Sequence, residues 1–369
     1  MMGIEKSDLE IPVKKEKWLK RVIVAVRWVL LLLITIHLYG CQQQMNQSDL
    51  EEQFRDEAVS IIEAMSISGQ QYEKLVALCE GTGSRLPGSE GDRASRAWAE
   101  STMVADGLEN VREEMVLVPH WERGEEEAEL VSPTNRSISI TALGLSVATR
   151  PEGLEADVVA LSSFEELEGV STSLVEGKIV LFNYPMERTD RSMAGYGDAV
   201  RYRTGGPAAA ARKGAVACLV RSVGTGSVDN LHTGVTSYQD GVQPIPAAAL
   251  TMADADDIEQ MYRSGMAPRV RMVLGARSFP DAEGANVIGE IRGRELPDEI
   301  VVIGGHLDSW DLSHGAHDDG AGCVQALEAA RILLNLGLRP RRTIRVVLFA
   351  AEEVGGLSGG NGYLQAHLA

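Results

Sequence analysis

The chain has 369 residues, of which 44% are hydrophobic and 24% are charged. This length and composition exclude a broadly disordered protein and are sufficient for two packed domains. Asp and Glu outnumber Lys and Arg by 53 to 35, so the formal net charge is -18. Because such a charge repels phosphate backbones, no general nucleic-acid binding is expected.

The four cysteines are scattered along the chain and form no C-x-x-C pair. They are Cys41, Cys79, Cys218 and Cys323. This spacing indicates neither a disulfide framework nor a thiolate zinc site. Any metal would therefore be held by histidine and carboxylate side chains, which are typical ligands of catalytic zinc sites.

Residues 1–41 have the pattern of an export signal. Five basic residues between Lys14 and Arg21 precede an apolar stretch, residues 22–38, that Arg27 interrupts. The stretch ends in L-Y-G-C, which resembles the lipobox of bacterial lipoproteins and makes Cys41 the expected lipidated residue. An uncleaved signal anchor is the alternative, because the run can span a bilayer if Arg27 snorkels to the interface. Both interpretations predict an exported protein with a membrane tether at its N-terminus.

Residues 48–122 and 278–369 have the pattern of one α/β domain that an insertion interrupts. Strands and helices alternate after residue 280, and two strands are almost continuously apolar, as in a doubly wound sheet covered on both faces. These two strands are Ile300–Gly304 and Ile344–Phe349. The other expected elements are helices after Ser48 and from Ser89 to Gly107, strands at Val111–Val118 and Val287–Ile291, a helix at Gly322–Leu336 and a helix from Ser358.

Residues 123–277 differ in character, with an acidic run followed by short strands, glycines and prolines. This pattern predicts a small β-rich unit with few helices, including strands at Lys178–Asn183 and Val216–Val220 and an alanine-rich helix at Gly206–Lys213. Nothing in the segment has catalytic spacing. His232, within H-T-G, could approach a substrate, but a lone loop histidine is more often only exposed.

Two strand ends carry the residues that predict chemistry. His306 and Asp308 follow the first strand, with Asp318 before a glycine-rich turn, and Glu352 and Glu353 follow the second strand. In open α/β sheets, ligands bind beyond the carboxyl ends of the strands. An imidazole and carboxylates that converge there can hold a metal that lowers the pKa of water, beside a carboxylate that takes the proton.

The spacing of these residues suggests separate roles. Adjacent glutamates on extended backbone point in opposite directions, so one of Glu352 and Glu353 can bind the metal while the other acts as base. Asp308 lies two residues after His306, where it can orient the imidazole or support the site. Gly320 and Gly322 would allow the turn after Asp318 to pass close to the site.

These motifs resemble the co-catalytic zinc aminopeptidase and carboxypeptidase family, and specifically its carboxypeptidase Q branch. The resemblance rests on H-L-D-S-W-D, A-H-D-D-G and A-E-E-V-G-G. It extends over the chain from about Leu75 through the further motifs P-H-W-E-R-G-E-E and H-T-G-V-T-S-Y-Q-D-G-V. It implies a doubly wound zinc-exopeptidase domain with a protease-associated domain inserted at residues 123–277. It also implies hydrolysis of small peptides such as dipeptides at a free terminus, and it allows a homodimer.

The resemblance also implies a role for each site residue by its position. His306 is expected to bind one zinc ion, Asp318 to bridge two zinc ions and Glu353 to bind the other. Glu352 matches the general base, which deprotonates a water shared by the two ions and returns the proton to the leaving amine. Asp308 matches the aspartate that supports the metal-binding histidine.

The family takes one further Asp and one further His from segments after the glutamate pair, whereas this sequence stops at Ala369. A chain truncated at its C-terminus, with one ligand missing from each zinc ion, is therefore expected. His367 could substitute as a ligand, but its position on the last helix gives no reason to expect this.

Two alternatives to the exopeptidase stay open. One is a catalytically inactive receptor or binding module of the same fold, which is also an alternative for the fragment alone because missing ligands weaken metal binding. The other is a single-zinc acyltransferase of related fold, such as a glutaminyl cyclase. The bridging position of Asp318 and the inserted segment favour the two-zinc exopeptidase over this second alternative.

Overall fold

The computed structural model describes residues 51–188 and 192–368. The described residues fall into two compact units, one that ends at Ile67 and one that begins at Ser68. Helix α1 (Arg55–Ser68) accounts for most of the described part of the first unit and has no buried residue. The predicted export signal, with Cys41 and the Ser48 cap, lies outside the described residues. Among the residues that are described, no helix is both long and apolar enough to cross a bilayer.

The second unit contains two sheets and the helices that pack on them. Its elements in chain order are α2 (Gln71–Thr82), α3 (Glu90–Ala105), β1 (Glu109–Glu122), β2 (Glu126–Ser132), β3 (Arg136–Ser137), β4 (Ile140–Ala142), β5 (Leu154–Leu161), α4 (Phe164–Gly169), α5 (Thr172–Val175), β6 (Ile179–Phe182), α6 (Ala194–Arg212), β7 (Ala217–Arg221), β8 (Ala247–Leu250), α7 (Met252–Arg263), β9 (Arg269–Leu274), β10 (Arg277–Ile291), β11 (Leu296–His306), α8 (Ala321–Asn335), β12 (Arg342–Phe349) and α9 (Ser358–His367).

Local signals set the bounds of α3 as the sequence predicts. The Ser89 side chain accepts a hydrogen bond from the Asp92 backbone N–H at 3.1 Å and thereby caps the first turn. Gly107, just beyond the last turn, has a φ of 86°, which glycine adopts without steric cost. The helix therefore begins and ends at residues that its own sequence specifies.

The first sheet has the strand order β1-β10-β12-β11. Only β11 and β12 are parallel, with α8 as the crossover between them, while β1 and β12 both run antiparallel to β10. Helices cover both faces, because Leu327 of α8 packs with Val287 and Leu348 on one face and Tyr363 of α9 packs with Ile288 on the other. The fold is thus α/β as predicted, but this sheet is mixed rather than uniformly parallel.

The prediction that both apolar strands are covered on both faces is wrong for β11. Ile300, Val301 and Val302 are each at least 40% exposed, whereas Val346 and Val347 of β12 are fully buried. The reason is the strand order, since β12 lies between two strands and β11 lies at the edge of the sheet within the described residues. A run of β-branched residues indicates a strand but does not reveal its place in the sheet.

The second sheet takes its strands from residues 126–274 in the order β3-β2-β9-β5-β6-β7-β8-β4. Its centre, β5 to β8, is parallel. The expectation of few helices needs correction, because α4, α5, α6 and α7 all lie in this segment. Helix α6 begins well before the predicted Gly206 and continues through Pro207. Gly206 packs against the Phe182 ring, where a Cβ would come within 2.9 Å, so the glycine serves packing rather than helix termination.

The division into 48–122, 123–277 and 278–369 stays a prediction about domains. What the structure shows is that β1 and β10, the long antiparallel pair of the first sheet, flank the segment that forms the second sheet. The strand ends that carry the predicted site belong to the first sheet, and the second sheet begins only four residues after β1 ends, at Glu126.

Candidate metal centre

The two strand ends that carry the predicted site lie side by side. β11 and β12 pair in parallel up to His306 and Phe349, so the chain leaves both strands at the same edge of the sheet. This is the place where ligands collect in open α/β sheets. The convergence predicted from chain order is therefore present.

Three of the predicted residues form one cluster. His306, Asp318 and Glu353 each offer a ligand atom, and these atoms all lie within 4.8 Å of one another. The Nε2 atom of His306 is 3.1 Å from Oδ1 of Asp318 and 4.0 Å from Oε2 of Glu352. One imidazole nitrogen and two carboxylates are a donor set that suits a catalytic zinc ion. Glu352 lies beside the cluster.

Asp308 holds the two strand ends together. Its buried carboxylate accepts the backbone N–H of Glu352 on Oδ1 and that of Glu353 on Oδ2, each at 3.0 Å. The ring of His306 donates from Nδ1 to the backbone carbonyl of Asp308 at 3.1 Å, while the Asp308 carboxylate is 3.6 Å away. Asp308 thus orients the imidazole through its main chain and fixes the glutamate pair through its side chain.

The separation of the two glutamates has a different origin from the one predicted. Strand β12 ends at Phe349, and Ala351 then adopts a positive φ of 54°. Glu352 and Glu353 therefore lie in a turn rather than on extended backbone. Because Asp308 binds both of their N–H groups, the turn presents the two side chains separately to the site.

Asp319 anchors the turn that carries Asp318. Its Oδ2 accepts the backbone N–H of His306 at 3.1 Å. A Cβ on Gly322 would lie 2.2 Å from Oδ1 of Asp319, and one on Gly320 would lie 2.8 Å from the Gly315 carbonyl. These glycines therefore permit the predicted close approach of the turn, although sequence reasoning assigned no role to Asp319.

Arg85 fixes the loop between the first strand end and this turn. Its side chain is fully buried and donates from Nε to the Leu307 carbonyl at 2.7 Å, from Nη1 to the His314 carbonyl at 2.6 Å and from Nη2 to the Gly315 carbonyl at 3.0 Å. Sequence reasoning missed this residue. The only local signal is an arginine within a Gly/Ser/Pro-rich turn that precedes a helix.

Trp310 contacts the cluster directly and was also missed. Its Nε1–H donates to Oε2 of Glu353 at 2.7 Å, and its ring meets the Trp121 ring edge-on at a centroid distance of 6.5 Å. One oxygen of Glu353 is therefore fixed by the indole. The signal was present in H-L-D-S-W-D, where an aromatic residue with a polar N–H follows the metal-site aspartate.

The electrostatics of the cluster favour a bound cation. Burial and the neighbouring Asp318 carboxylate raise the pKa of Glu353 to about 7, although His306 and Trp310 oppose this shift. Burial alone would lower the pKa of His306, but Asp308, Glu352 and Asp319 raise it to about 10. The carboxylates thus crowd one another and draw positive charge onto the imidazole. The residues present fit a divalent metal ion.

Two further histidines lie outside the cluster. His317 is exposed. His367 contacts Glu114 through Nε2 at 2.9 Å and lies near Arg345, on the α9 side of the sheet. It is therefore placed as a structural partner of Glu114. The three described cysteines are buried and unpaired.

Comparison with known proteins places the chain in a family. Residues 286–369 match the family model "Peptidase family M28". Carboxypeptidase Q from Bos taurus is 41% identical over 336 residues, which cover 89% of this chain and 69% of that protein. The chain belongs to peptidase family M28. The predicted resemblance is confirmed, and membership identifies the chain as a metallo-exopeptidase.

Two other M28 relatives agree with this assignment. Carboxypeptidase Q from Homo sapiens is 42% identical over 298 residues, which cover 81% of this chain and 61% of that protein. The crystal structure of a peptidase M28 precursor from Shewanella amazonensis SB2B is 38% identical, with a TM-score of 0.83 and coverage of 86% of this chain and 72% of that one. The chain thus spans 61% to 69% of the length of these two carboxypeptidase Q relatives.

Proposed function

We propose that this M28 chain belongs to a zinc exopeptidase that hydrolyses small peptides, such as dipeptides, with Glu352 as the general base. The observation that carries the proposal is the cluster of His306, Asp318 and Glu353, with Glu352 beside it and outside it. This arrangement separates the groups that hold metal from the group that moves a proton, as metal-assisted hydrolysis requires.

His306, Asp318 and Glu353 would hold the metal. When bound, zinc lowers the pKa of water and polarises a peptide carbonyl. We include two zinc ions in the proposal, with Asp318 as the bridging carboxylate. Its side chain is 73% exposed, which leaves one face of the carboxylate open to a second ion.

Glu352 has the accessibility that a base needs. Its side chain is 46% exposed, while Asp308 fixes its backbone from the buried side. The proposed step has Glu352 take a proton from water as the water oxygen attacks the peptide carbonyl carbon. Glu352 then gives that proton to the leaving nitrogen, so that the C–N bond breaks and a free amine departs.

Further parts of the proposal rest on the resemblance and on the sequence pattern. They are a protease-associated identity for residues 123–277, export with a membrane tether that is either a lipid on Cys41 or a signal anchor, and a homodimer. The substrate partner is a small peptide. Each of these is separate from the metal centre and can fail without affecting the assignment of Glu352.

The test is Glu352→Gln in the zinc-loaded full-length protein. The amide keeps the shape of the side chain but cannot accept the proton, so hydrolysis of alanyl-phenylalanine should fall about 100- to 10,000-fold. Zinc content, measured by atomic emission, should stay unchanged because Glu352 is not a ligand. Glu63→Gln, an exposed position on α1, is the matched control and should keep full activity. Full activity of Glu352→Gln would overturn the assignment of the base.

A further inference from the structure

One side chain of the metal cluster, that of Glu353, depends on a single hydrogen bond for its orientation. The backbone N–H of Glu353 donates to Asp308, but this bond fixes only the main chain. The carboxylate accepts a hydrogen bond from Nε1–H of Trp310 at 2.7 Å, and no other group among the described residues donates to it. The direction in which Glu353 presents its oxygens to the cluster therefore depends on the position of the indole.

The Trp310 ring follows a strand of the first sheet in sequence but packs on the second sheet. It lies in the loop after β11, and its side chain packs against a core cluster built largely from strands of the second sheet. The Trp121 ring meets it edge-on at a centroid distance of 6.5 Å. Trp121 is itself buried and donates from Nε1 to the Ser146 carbonyl, between β4 and β5, at 3.0 Å. The indole is thus held from the side of the second sheet.

Gly144, in the same loop between β4 and β5, lies directly against the Trp310 ring. A Cβ on Gly144 would lie 2.1 Å from Cη2, 2.7 Å from Cζ3 and 3.3 Å from Cζ2 of the indole. The φ of Gly144 is not positive, so the position requires glycine for the close approach and not for an unusual backbone conformation. The ring occupies the space that a side chain at this position would take.

Hydrogen bonds fix the backbone of Gly144 against the ring. Its N–H donates to the Gly234 carbonyl at 2.9 Å, and its carbonyl accepts the N–H of Thr236 at 2.9 Å. The preceding residue, Leu143, donates to the Ala247 carbonyl of β8 at 3.0 Å. Because the loop cannot retreat without breaking these bonds, a side chain at position 144 would displace the indole, and with it the donor to the metal-ligand carboxylate.

The residue after Trp310 is also bound to the second sheet. Arg123 donates to the Asp311 carboxylate from Nε at 2.8 Å and from Nη2 at 2.6 Å, while its Nη1 donates to the hydroxyl of Thr141, on β4, at 2.7 Å. Arg123 is buried, and a bidentate pair of this kind has a defined geometry. Two adjacent residues of the metal-site loop therefore take their positions from contacts with the second sheet.

We propose that Trp310 is a positioning residue for the metal centre and that the second sheet, through Gly144, sets the zinc affinity of Glu353. This proposal rests on the zinc centre of the proposed function and adds the element outside the first sheet that controls it. Trp310 acts through Glu353 and is not itself a ligand, because an indole N–H can only donate. A carboxylate that is already held in one orientation loses less conformational freedom when an ion binds.

The first test is Trp310→Phe in the full-length protein. The phenyl ring keeps an aromatic group against Trp121 but has no N–H, so the hydrogen bond to Glu353 is lost. Zinc affinity, measured by competition with a chelator, should fall about 10- to 100-fold, the usual effect of removing a group that orients a metal ligand. In a Glu353→Ala background the same change should not lower the residual zinc affinity further, because the acceptor is already absent.

The second test is Gly144→Ala, which alters no group of the metal cluster. The new methyl group overlaps Cη2 and Cζ3 of Trp310, so zinc affinity should fall by a similar factor. In the Trp310→Phe background this change should have no further effect, because the shorter phenylalanine side chain ends before these atoms. Gly169→Ala, on α4, is the matched control, since a Cβ there meets nothing within 4 Å and zinc affinity should stay unchanged.

Thermal unfolding of each zinc-free variant shows that the measured affinity belongs to a folded protein. Unchanged zinc affinity in Trp310→Phe would overturn the proposal. An equal loss with and without Glu353 would also overturn it, since Trp310 would then support the centre by packing alone. A loss in Gly144→Ala that is undiminished in the Trp310→Phe background would mean that the loop does not act through the indole, and it would contradict the role of Gly144.

Hydrolysis of alanyl-phenylalanine separates this proposal from the proposed function. Zinc affinity that depends on Trp310, in a protein that hydrolyses no peptide, would contradict the exopeptidase proposal and support this one. Hydrolysis by a protein whose zinc affinity is the same with tryptophan and with phenylalanine at position 310 would do the reverse. A full-length protein that binds no zinc would contradict both.

Discussion

The metal centre and the contact between Trp310 and Gly144 are assembled in opposite ways. The metal centre takes His306, Asp318 and Glu353 from two successive strand ends of one sheet, which lie within a short stretch of chain. The contact between Trp310 and Gly144 joins the loop after β11 to a loop of the second sheet that is distant in the chain. The first region supplies the proposed ligand atoms, and the second region holds the indole that donates to one of them.

This difference determines what each region should contribute to function. Asp308 and Asp319 fix the metal cluster within one sheet. Mutations in this cluster should change the rate of hydrolysis of every substrate equally, because all substrates share the peptide bond. The second region contains no proposed ligand, so mutations there should weaken zinc binding without abolishing it. Mutations in the two regions are therefore expected to differ in the size of their effects.

The largest effect is expected from Asp318→Asn. The change removes a charge from the proposed bridging ligand, so zinc binding should weaken and kcat/KM should fall by roughly a thousandfold or more. The loss should exceed that of Trp310→Phe, which leaves every proposed ligand in place. Activity assays with alanyl-phenylalanine and a zinc-content measurement check this. Asp240→Asn, at an exposed position between β7 and β8, serves as control, and a loss no larger than that of Trp310→Phe would break the comparison.

A second prediction concerns the stability of the fold around helix α8, which carries Glu328. Burial would raise the pKa of Glu328, but hydrogen bonds from Arg331, the Gln70 N–H and Lys74 lower it to about 2. Because this pKa is depressed below its unfolded value near 4.5, the carboxylate stabilises the fold above that pH. The contribution, about 3 kcal/mol, should be lost as the pH falls from about 4.5 towards about 2.

Urea unfolding between pH 2 and pH 6 tests this prediction. The wild-type free energy of unfolding should fall steeply on the acid side, and Glu328→Gln should lack that component of the decline. Glu63→Gln should decline as the wild type does, since its side chain is exposed. Parallel curves for Glu328→Gln and wild type would show that Glu328 is not the group responsible.

The smallest effect is expected from Asp308→Asn. The amide can accept one of the two backbone N–H groups of the glutamate turn but meets the other with an N–H₂ group. Zinc affinity or activity should therefore fall about 10- to 100-fold, the usual effect of removing a group that orients metal ligands. Competition with a zinc chelator measures the affinity. An unchanged affinity and rate would mean that the turn holds its shape without Asp308.

The metal centre could be predicted from the sequence because its residues directly follow two strands that are close together along the chain. A histidine and acidic residues after two apolar strands need only parallel pairing of those strands to converge, and β11 and β12 provide it. The residues that hold the centre in shape could not be predicted. Arg85 binds carbonyl oxygens, which every residue has, so no side-chain pattern marks its partners.

The contacts within the second region could not be predicted from the sequence for a related reason. Nothing near Trp310 in sequence indicates that Gly144 lies against its ring, because the two meet only through tertiary structure. Similarly, the sequence predicts a helix that begins at Gly206, whereas packing of Gly206 on Phe182 makes this glycine part of the interior of α6. The exposure of Ile300 to Val302 follows from the position of β11 in the sheet, which a strand's own residues do not encode.

Anomalous X-ray scattering at the zinc edge, from crystals of the zinc-loaded full-length protein, tests the central claim most directly. The account predicts two zinc peaks, one near His306 and one near Glu353, each about 2.0 to 2.2 Å from its ligand atom, with Asp318 between them. A single peak bound to these residues would overturn the count of two. The absence of a zinc peak at His306, Asp318 and Glu353, with zinc bound elsewhere, would contradict the account.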